Sequence, residues 1–322
     1  MFRFIFVFIV FAMNFAMAQH SAVIVKIKGE AELFVTPGSL KEKSPSVLLD
    51  GKTYEVQKVK LGTKVEPGSV VRTSGKSKLR LVYKNGDQIT VGPATSYEIL
   101  ELNGKKSDDA SSIRLMYGAI RSVISKNGPR NGMKVKTRTA AMGIRGTDFF
   151  VSQRGSAGET QVAVIRGEVN AQANAKGTKE LKVKSGQTAA FEESKTKKTI
   201  ESEVTQTTQE DLVKIQLSSV IKKSEENKEV VAKSVAVELK ALEKKATENA
   251  IEDIKNYDKN LYQKLKKANI ASMDTVNTVS VKKAFYKAPK GKSKISGEEL
   301  EEIQMNAYEE YFKIDEINKA LE

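Results

Sequence analysis

Between Ser21 and Phe191 apolar residues recur at every second position, and glycine-bearing turns cut the pattern every few residues. The segment opens with Ala22-Val-Ile-Val-Lys-Ile-Lys28 and stops at Gly29. Leu79–Tyr83 and Gln88–Val91 follow, with Asn85-Gly86 between them. That dipeptide predicts a hairpin with a type I′ turn, because Asn and Gly tolerate positive φ. The same alternation predicts strands at Val70–Thr73, Ser96–Leu102, Ile113–Tyr117, Ile120–Ser125, Met133–Thr137, Phe149–Ser152, Gln161–Ile165, Glu168–Ala173 and Glu180–Val183. Helical spacing is missing throughout. Many short strands with glycine punctuation imply an all-β roll, sandwich or short solenoid. Between Val35 and Val59 a polar stretch interrupts the pattern and reads as a surface loop with a short hairpin at Asp50-Gly51.

Past residue 200 the period changes. Thr207-Thr-Gln-Glu210 fits a capping box with Thr207 as N-cap. A long apolar stripe then runs from Val231 to Leu265 with no proline or glycine. Its mean step of about 3.8 residues exceeds the 3.5 of a left-handed coiled coil. So narrow a stripe on a Lys- and Glu-rich helix needs a partner. The Thr207 helix, the last helix, the β segment or a second copy of this chain would serve. Ser296-Gly-Glu-Glu299 opens a further helix, and the basic stretch before it reads as a linker with an extended piece at Val276–Val281. The expected organisation is a signal peptide at 1–18, an all-β domain at 21–195, a helical, coiled-coil-like region at 205–270, a basic linker at 271–297 and a C-terminal helix at 298–322.

Charge divides the same way. Residues 21–200 hold 32 Lys and Arg against 17 Asp and Glu, and residues 201–322 hold 21 against 23. The cationic half suits anionic envelope polymers or plain solvation; aromatics are not interleaved for nucleic-acid stacking, so no nucleic acid is expected. With no cysteine and one histidine, His20, thiolate metal sites, disulfides, cysteine nucleophiles and serine–histidine–aspartate triads are excluded. Arg3, the apolar run Phe4–Phe15 and Ala16-Met-Ala18 have the form of a secretory leader cut before Gln19. The run is too short for a stable membrane anchor. The mature chain is expected in the periplasm or at the cell surface.

The order of motifs carries a resemblance. Val65-Glu-Pro-Gly-Ser-Val-Val-Arg-Thr73 precedes Asn85-Gly-Asp-Gln-Ile-Thr-Val-Gly92 and Arg114-Leu-Met-Tyr-Gly-Ala-Ile-Arg121. Then come Ala140-Ala-Met-Gly-Ile-Arg-Gly-Thr-Asp-Phe149, Val164-Ile-Arg-Gly-Glu-Val169 and Val183-Lys-Ser-Gly-Gln187. Over about 170 residues this resembles the FecR domain family, with Thr139 where the family often has proline. The resemblance implies a periplasmic all-β module; from the residues, no cofactor or metal is expected. Its family role in anti-sigma signalling needs a cytoplasmic segment and a membrane helix that this sequence does not show.

The family-signature turn comprises Gly143, Arg145, Gly146, Thr147, Asp148 and Phe149. Its expected role is structural, with the glycines at positive φ, Arg145 paired to a carboxylate or to carbonyls, and Phe149 buried. Asp50, Asp87, Asp148 and Glu168 are the candidates for catalytic carboxylates, but their spacing does not separate acid from base. The expected function is non-enzymatic: an envelope binding or signalling scaffold whose helices dock a partner protein or self-associate through Val231–Leu265. The alternative is a cationic polymer-binding or adhesin-like surface protein.

Overall fold

A computed structural model describes residues 22–38, 44–101, 111–125, 132–154, 158–194, 199–221, 226–270 and 272–289. The leader, His20 and the C-terminal helix expected at 298–322 lie outside the described residues.

Two sheets share one strand. The first runs in the spatial order β5 (Lys64–Val65), β1 (Ala22–Lys28), β7 (Lys78–Tyr83), β8 (Gln88–Val91), the second half of β10 (Ser111–Val123), β13 (Asp148–Arg154), β14 (Glu159–Arg166), β17 (Gln187–Glu193) and β18 (Ile200–Gln206), all antiparallel. The second runs β3 (Ser46–Leu49), β4 (Lys52–Lys58), β2 (Ala31–Val35), β6 (Val70–Thr73), β9 (Ser96–Glu101), the first half of β10, β11 (Met133–Lys136), β12 (Ala140–Ile144), β15 (Glu168–Ala173) and β16 (Leu181–Lys184). Only the β10–β11 pair is parallel among these ladders.

The strand β10 passes from one sheet to the other at Gly118, whose φ is 90°. A Cβ there would lie 2.5 Å from Thr95 Cα and 2.7 Å from the Ala94 carbonyl oxygen. Only glycine permits that bend, so the two strands expected at 113–117 and 120–125 are one bent strand.

The main core lies between the sheets. Ile24, Leu81, Ile120, Phe149, Val151 and Val164 come from the first, and Leu33, Val71, Ile113, Val135, Met142 and Val169 from the second. The second sheet has an open outer face, so its strands alternate buried and exposed residues, as in β11 and β15. The first sheet is buried on both faces over its middle strands, where β7 and β8 are buried at every position, while β18 at its edge is largely exposed. Its outer face is covered by four helices, α1 (Gln209–Ser219), α2 (Lys233–Lys255), α3 (Lys259–Lys267) and α4 (Met273–Lys287). Val23, Val25, Val82 and Val123 pack there on Leu239, Ala246, Ala250, Ile254, Leu265, Val276 and Val279. Phe150, Ala163 and Ile165 pack on Leu212, Ile215 and Val281. The result is three layers: open sheet, covered sheet, helices. No helix of the described residues is long and apolar enough to cross a membrane.

Several expectations are corrected. The expected coiled-coil rod is broken, because Asp258 caps a new helix by accepting from Leu261 N at 2.9 Å. Most of the Val231–Leu265 stripe is occupied inside the chain: Leu239, Ala246, Ala250, Ile254, Leu261 and Leu265 are all buried. It therefore offers a second copy no continuous apolar face. The stretch expected as linker contains α4, since burial of Met273, Val276, Val279 and Val281 outweighs the weak helix propensity of the valines. The N-cap is Thr208, not Thr207: Thr208 Oγ1 accepts from Asp211 N at 3.1 Å and Thr208 N donates back to Asp211 Oδ2 at 3.0 Å. Thr207 N instead donates to the Gly186 carbonyl and prolongs the β17–β18 ladder by a residue.

The Asn85-Gly86 hairpin exists, but Gly86 N donates to the Tyr83 carbonyl and only Gly86 has positive φ. That is a type I turn followed by a glycine bulge, not type I′. The hairpin at Asp50-Gly51 joins β3 to β4 with both residues at positive φ.

Candidate functional site: a charged seam beneath the helices

Alternation along the covered sheet sends one residue in two outward, toward the helices. On four strands a cation faces the helices: Arg80 on β7 and Arg121 on β10 by alternation, and Lys26 on β1 and Arg166 on β14 through β-bulges that leave them on the same side as their neighbours Val25 and Ile165. Arg80, Arg121 and Arg166 are 1%, 2% and 6% exposed. Guanidinium groups so deep require partners.

Asp274, in the first turn of α4, supplies one. Its Oδ1 accepts from Arg80 Nη2 at 2.5 Å and its Oδ2 from Lys26 Nζ at 2.7 Å. Lys26 also donates to Glu226 Oε1 at 2.5 Å. Burial alone would raise the Asp274 carboxyl, but Arg80 and Lys26 outweigh it and hold it below the usual carboxylate value. Burial would lower Lys26, and attraction to Asp274 with the bonds to Asp274 and Glu226 reverses the sign. Burial raises Glu243 on α2 against the opposing pull of Lys26 and Arg80.

Asp148, at the start of β13, supplies the second partner. Arg121 Nε and Nη2 fork onto its two oxygens at 3.0 and 2.9 Å, with both side chains 1% exposed. Arg121 Nη2 also donates to the Asn277 carbonyl of α4 at 3.1 Å. Gln88 Nε2 reaches Asn277 Oδ1 at 3.2 Å. The sheet thus holds α4 at its first turn and again one turn later.

The signature turn sits at one end of this seam. Gly146 has φ 61°. Thr147 is fully buried and its Oγ1 donates to the carbonyls of Arg145 and Glu168. Tyr257, between α2 and α3, donates to the Gly146 carbonyl at 3.1 Å. Phe149 is fully buried in the inter-sheet core. Two particulars differ from the sequence reading. Gly143 lies exposed in β12, without positive φ and with open space where a Cβ would stand, so its geometry does not demand glycine. Arg145 is exposed and makes no ion pair among the described residues; the carboxylate of the motif belongs to Arg121.

The four candidate carboxylates are spread over the molecule. Asp50 pairs with Arg114 at 3.1 Å on the open sheet. Asp87 accepts from Asn85 Nδ2 and Ser125 N in the β7–β8 turn. Asp148 belongs to Arg121, and Glu168 opens β15 on the open sheet beside Lys182 at 3.9 Å. Among the described residues no three His, Cys, Asp or Glu side chains group as metal ligands.

The sequence reading missed Lys26, Arg80, Arg121 and Asp274. A signal was present: lone cations inside apolar runs, as in Val25-Lys-Ile27 and Leu79-Arg-Leu81.

These features define a class: an antiparallel two-sheet module whose covered sheet carries a helical layer through buried ionic links. Residues 69–170 match the family model described as FecR protein, so that segment is a FecR domain. It contains Arg80, Arg121, Asp148 and Arg166, whereas Lys26 and Asp274 lie outside it. Two solved structures are similar, both crystal structures of a candidate anti-sigma factor from Parabacteroides distasonis ATCC 8503, at 1.65 and 2.50 Å. They are 11% and 12% identical to this chain with a TM-score of 0.36. Each match covers 42% of this chain and 59% of the other, so the chain spans under two thirds of those structures. No curated protein matches.

Proposed function

We propose that the protein is a non-enzymatic signalling module of the cell envelope, exported by residues 1–18, which works by protein contact through its helical layer. One observation carries the reading: the signature turn of the FecR domain is tied to the helices. Asp148 holds Arg121, Arg121 holds the α4 backbone at Asn277, and Tyr257 bonds the Gly146 carbonyl. Displacement of the helices by a partner would be felt at that turn.

The match of residues 69–170 to the FecR family supports envelope signalling. The buried cations weaken the polymer-binding alternative only in part, since many lysines remain on the surface. The test is crosslinking of the mature chain in its own envelope, followed by purification. Recovery at fixed stoichiometry with a second envelope protein, reduced by Asp274→Asn, is expected. Residence in the cytoplasm, or turnover of a substrate abolished by a single carboxylate substitution, would overturn the reading.

A further inference from the structure

The fourth cation of the seam differs from the others. Arg166 is 6% exposed, yet its Nε and Nη2 have no hydrogen-bond partner among the described residues. These two atoms form one edge of the guanidinium. Arg121 uses the same edge to hold both oxygens of Asp148. Asp148 and Arg166 are direct cross-strand partners on β13 and β14. The nearest carboxylate in register is therefore already taken, and Arg166 keeps a carboxylate-shaped edge unfilled.

Arg166 lines a cavity of about 380 Å³ between β14, α1, α3 and α4. Its walls are mostly apolar, among them Ile165, Leu212, Ile254, Leu261 and Ala284. Its charged lining is Arg166, Lys283 and Lys287 against Asp258, which is in contact with Lys283. Tyr257 stands at the rim, 46% exposed, with its ring 5.8 Å from the Arg166 guanidinium carbon. The volume lies within the range of small-molecule sites. At roughly 30 Å³ per water-sized atom it takes about a dozen non-hydrogen atoms.

We propose that this cavity binds a small organic carboxylate with an apolar body, the Arg166 side chain turning so that its Nε and Nη2, sealed from solvent in this structure, fork onto the two oxygens. A forked carboxylate satisfies both orphan donors at once, and a buried cation gains most from such a pair. Apolar walls favour a carboxylate bearing hydrocarbon over a strongly hydrated free phosphate. The site goes beyond the signalling role and stands whether or not the chain signals. Because Tyr257 also holds the Gly146 carbonyl, a ligand here touches the residue that links the helices to the signature turn.

Two sources share this chemistry, a fatty acid and a peptide C-terminus. Titration of the intact chain with octanoate and with N-acetylleucine, each of about ten to twelve non-hydrogen atoms, separates them. Calorimetry is expected to show saturable binding of at least one, and the tighter of the two names the source. The corresponding amide or alcohol, and inorganic phosphate, should bind roughly tenfold more weakly or not at all. Arg166→Gln should abolish binding, and Arg166→Lys, which keeps the charge but not the fork, should weaken it roughly tenfold. Circular dichroism of each variant checks that the fold persists, and Ala284→Phe, which fills the cavity while sparing Arg166, should block binding if the arginine variants unfold. Failure of both carboxylates to bind, equal binding of octanol and octanoate, or undiminished binding to Arg166→Gln or Ala284→Phe would overturn the proposal.

Discussion

Arg121 and Asp148 show what a buried pair demands. Each side chain is 1% exposed, and each uses two atoms on the other. Asp148→Ala leaves the guanidinium without its carboxylate, which costs about 3–5 kcal/mol by urea unfolding. Replacing both residues by apolar ones of similar size should cost less than that single change. Asp274 gives a pH dependence. Its carboxyl is held below the ordinary value of 3.8, so its contribution is present above 3.8 and disappears as pH falls through the lower folded value. Glu243 has the opposite sign. Burial raises it above 4.5, so its ionised form opposes folding at neutral pH, and protonation removes that penalty as pH falls. Stability measured against pH should therefore show Glu243→Gln more stable than the parent at pH 7 and equal to it in acid. Asp274→Asn should be less stable at pH 7 and have a flattened acid limb.

At the scale of elements, legibility in the sequence depends on how many faces an element buries. The turn chemistry at Asp50-Gly51 and Arg166-Gly167 marks strand ends well, because positive φ is a local demand. The β12 strand, Ala140–Ile144, is invisible to the alternation pattern because Ala-Ala-Met-Gly-Ile has little β propensity and gains its place by pairing with β11 and β15. The α4 helix reads as linker and extended chain because Val276, Val279 and Val281 favour strands locally, and only packing on the covered sheet reverses that preference. The site is less legible than the fold. Arg145 is the conspicuous residue of the signature, but Asp148 and Arg121 pair across strands, and no spacing in one segment reports a cross-strand partner. Two element-scale substitutions follow from the geometry. Thr208→Ala removes the side-chain half of the α1 capping box and should cost about 1 kcal/mol in thermal or urea unfolding. Gly118→Val sets a branched side chain against Thr95 at a φ of 90° and should cost well over the roughly 1–3 kcal/mol of the strain alone.

For the molecule as a whole, the division into a basic β half and an acidic helical half is real in sequence but not in packing. Around its buried cations the outer face of the covered sheet is apolar, so the helices complete a hydrophobic layer that the β half alone leaves open. Val23, Val25, Val82, Val123, Phe150, Ala163 and Ile165 all lie beneath helices and would meet water without them. So would Arg80, whose carboxylate partner Asp274 belongs to α4. A contiguous apolar face of this kind drives aggregation or recruits a partner. A chain ending at Gln206 is therefore expected to keep its strands, since the inter-sheet core contains no helical residue. It should bind a hydrophobic dye strongly, precipitate or associate at concentrations where the intact chain stays in solution, and regain solubility when the helical segment is added in trans. Circular dichroism should remain β-rich throughout. A truncated chain that stays monomeric and binds no more dye than the intact protein would mean that the helices rest on the sheet without being needed by it, and the layered account of this fold would then fail at its outermost layer.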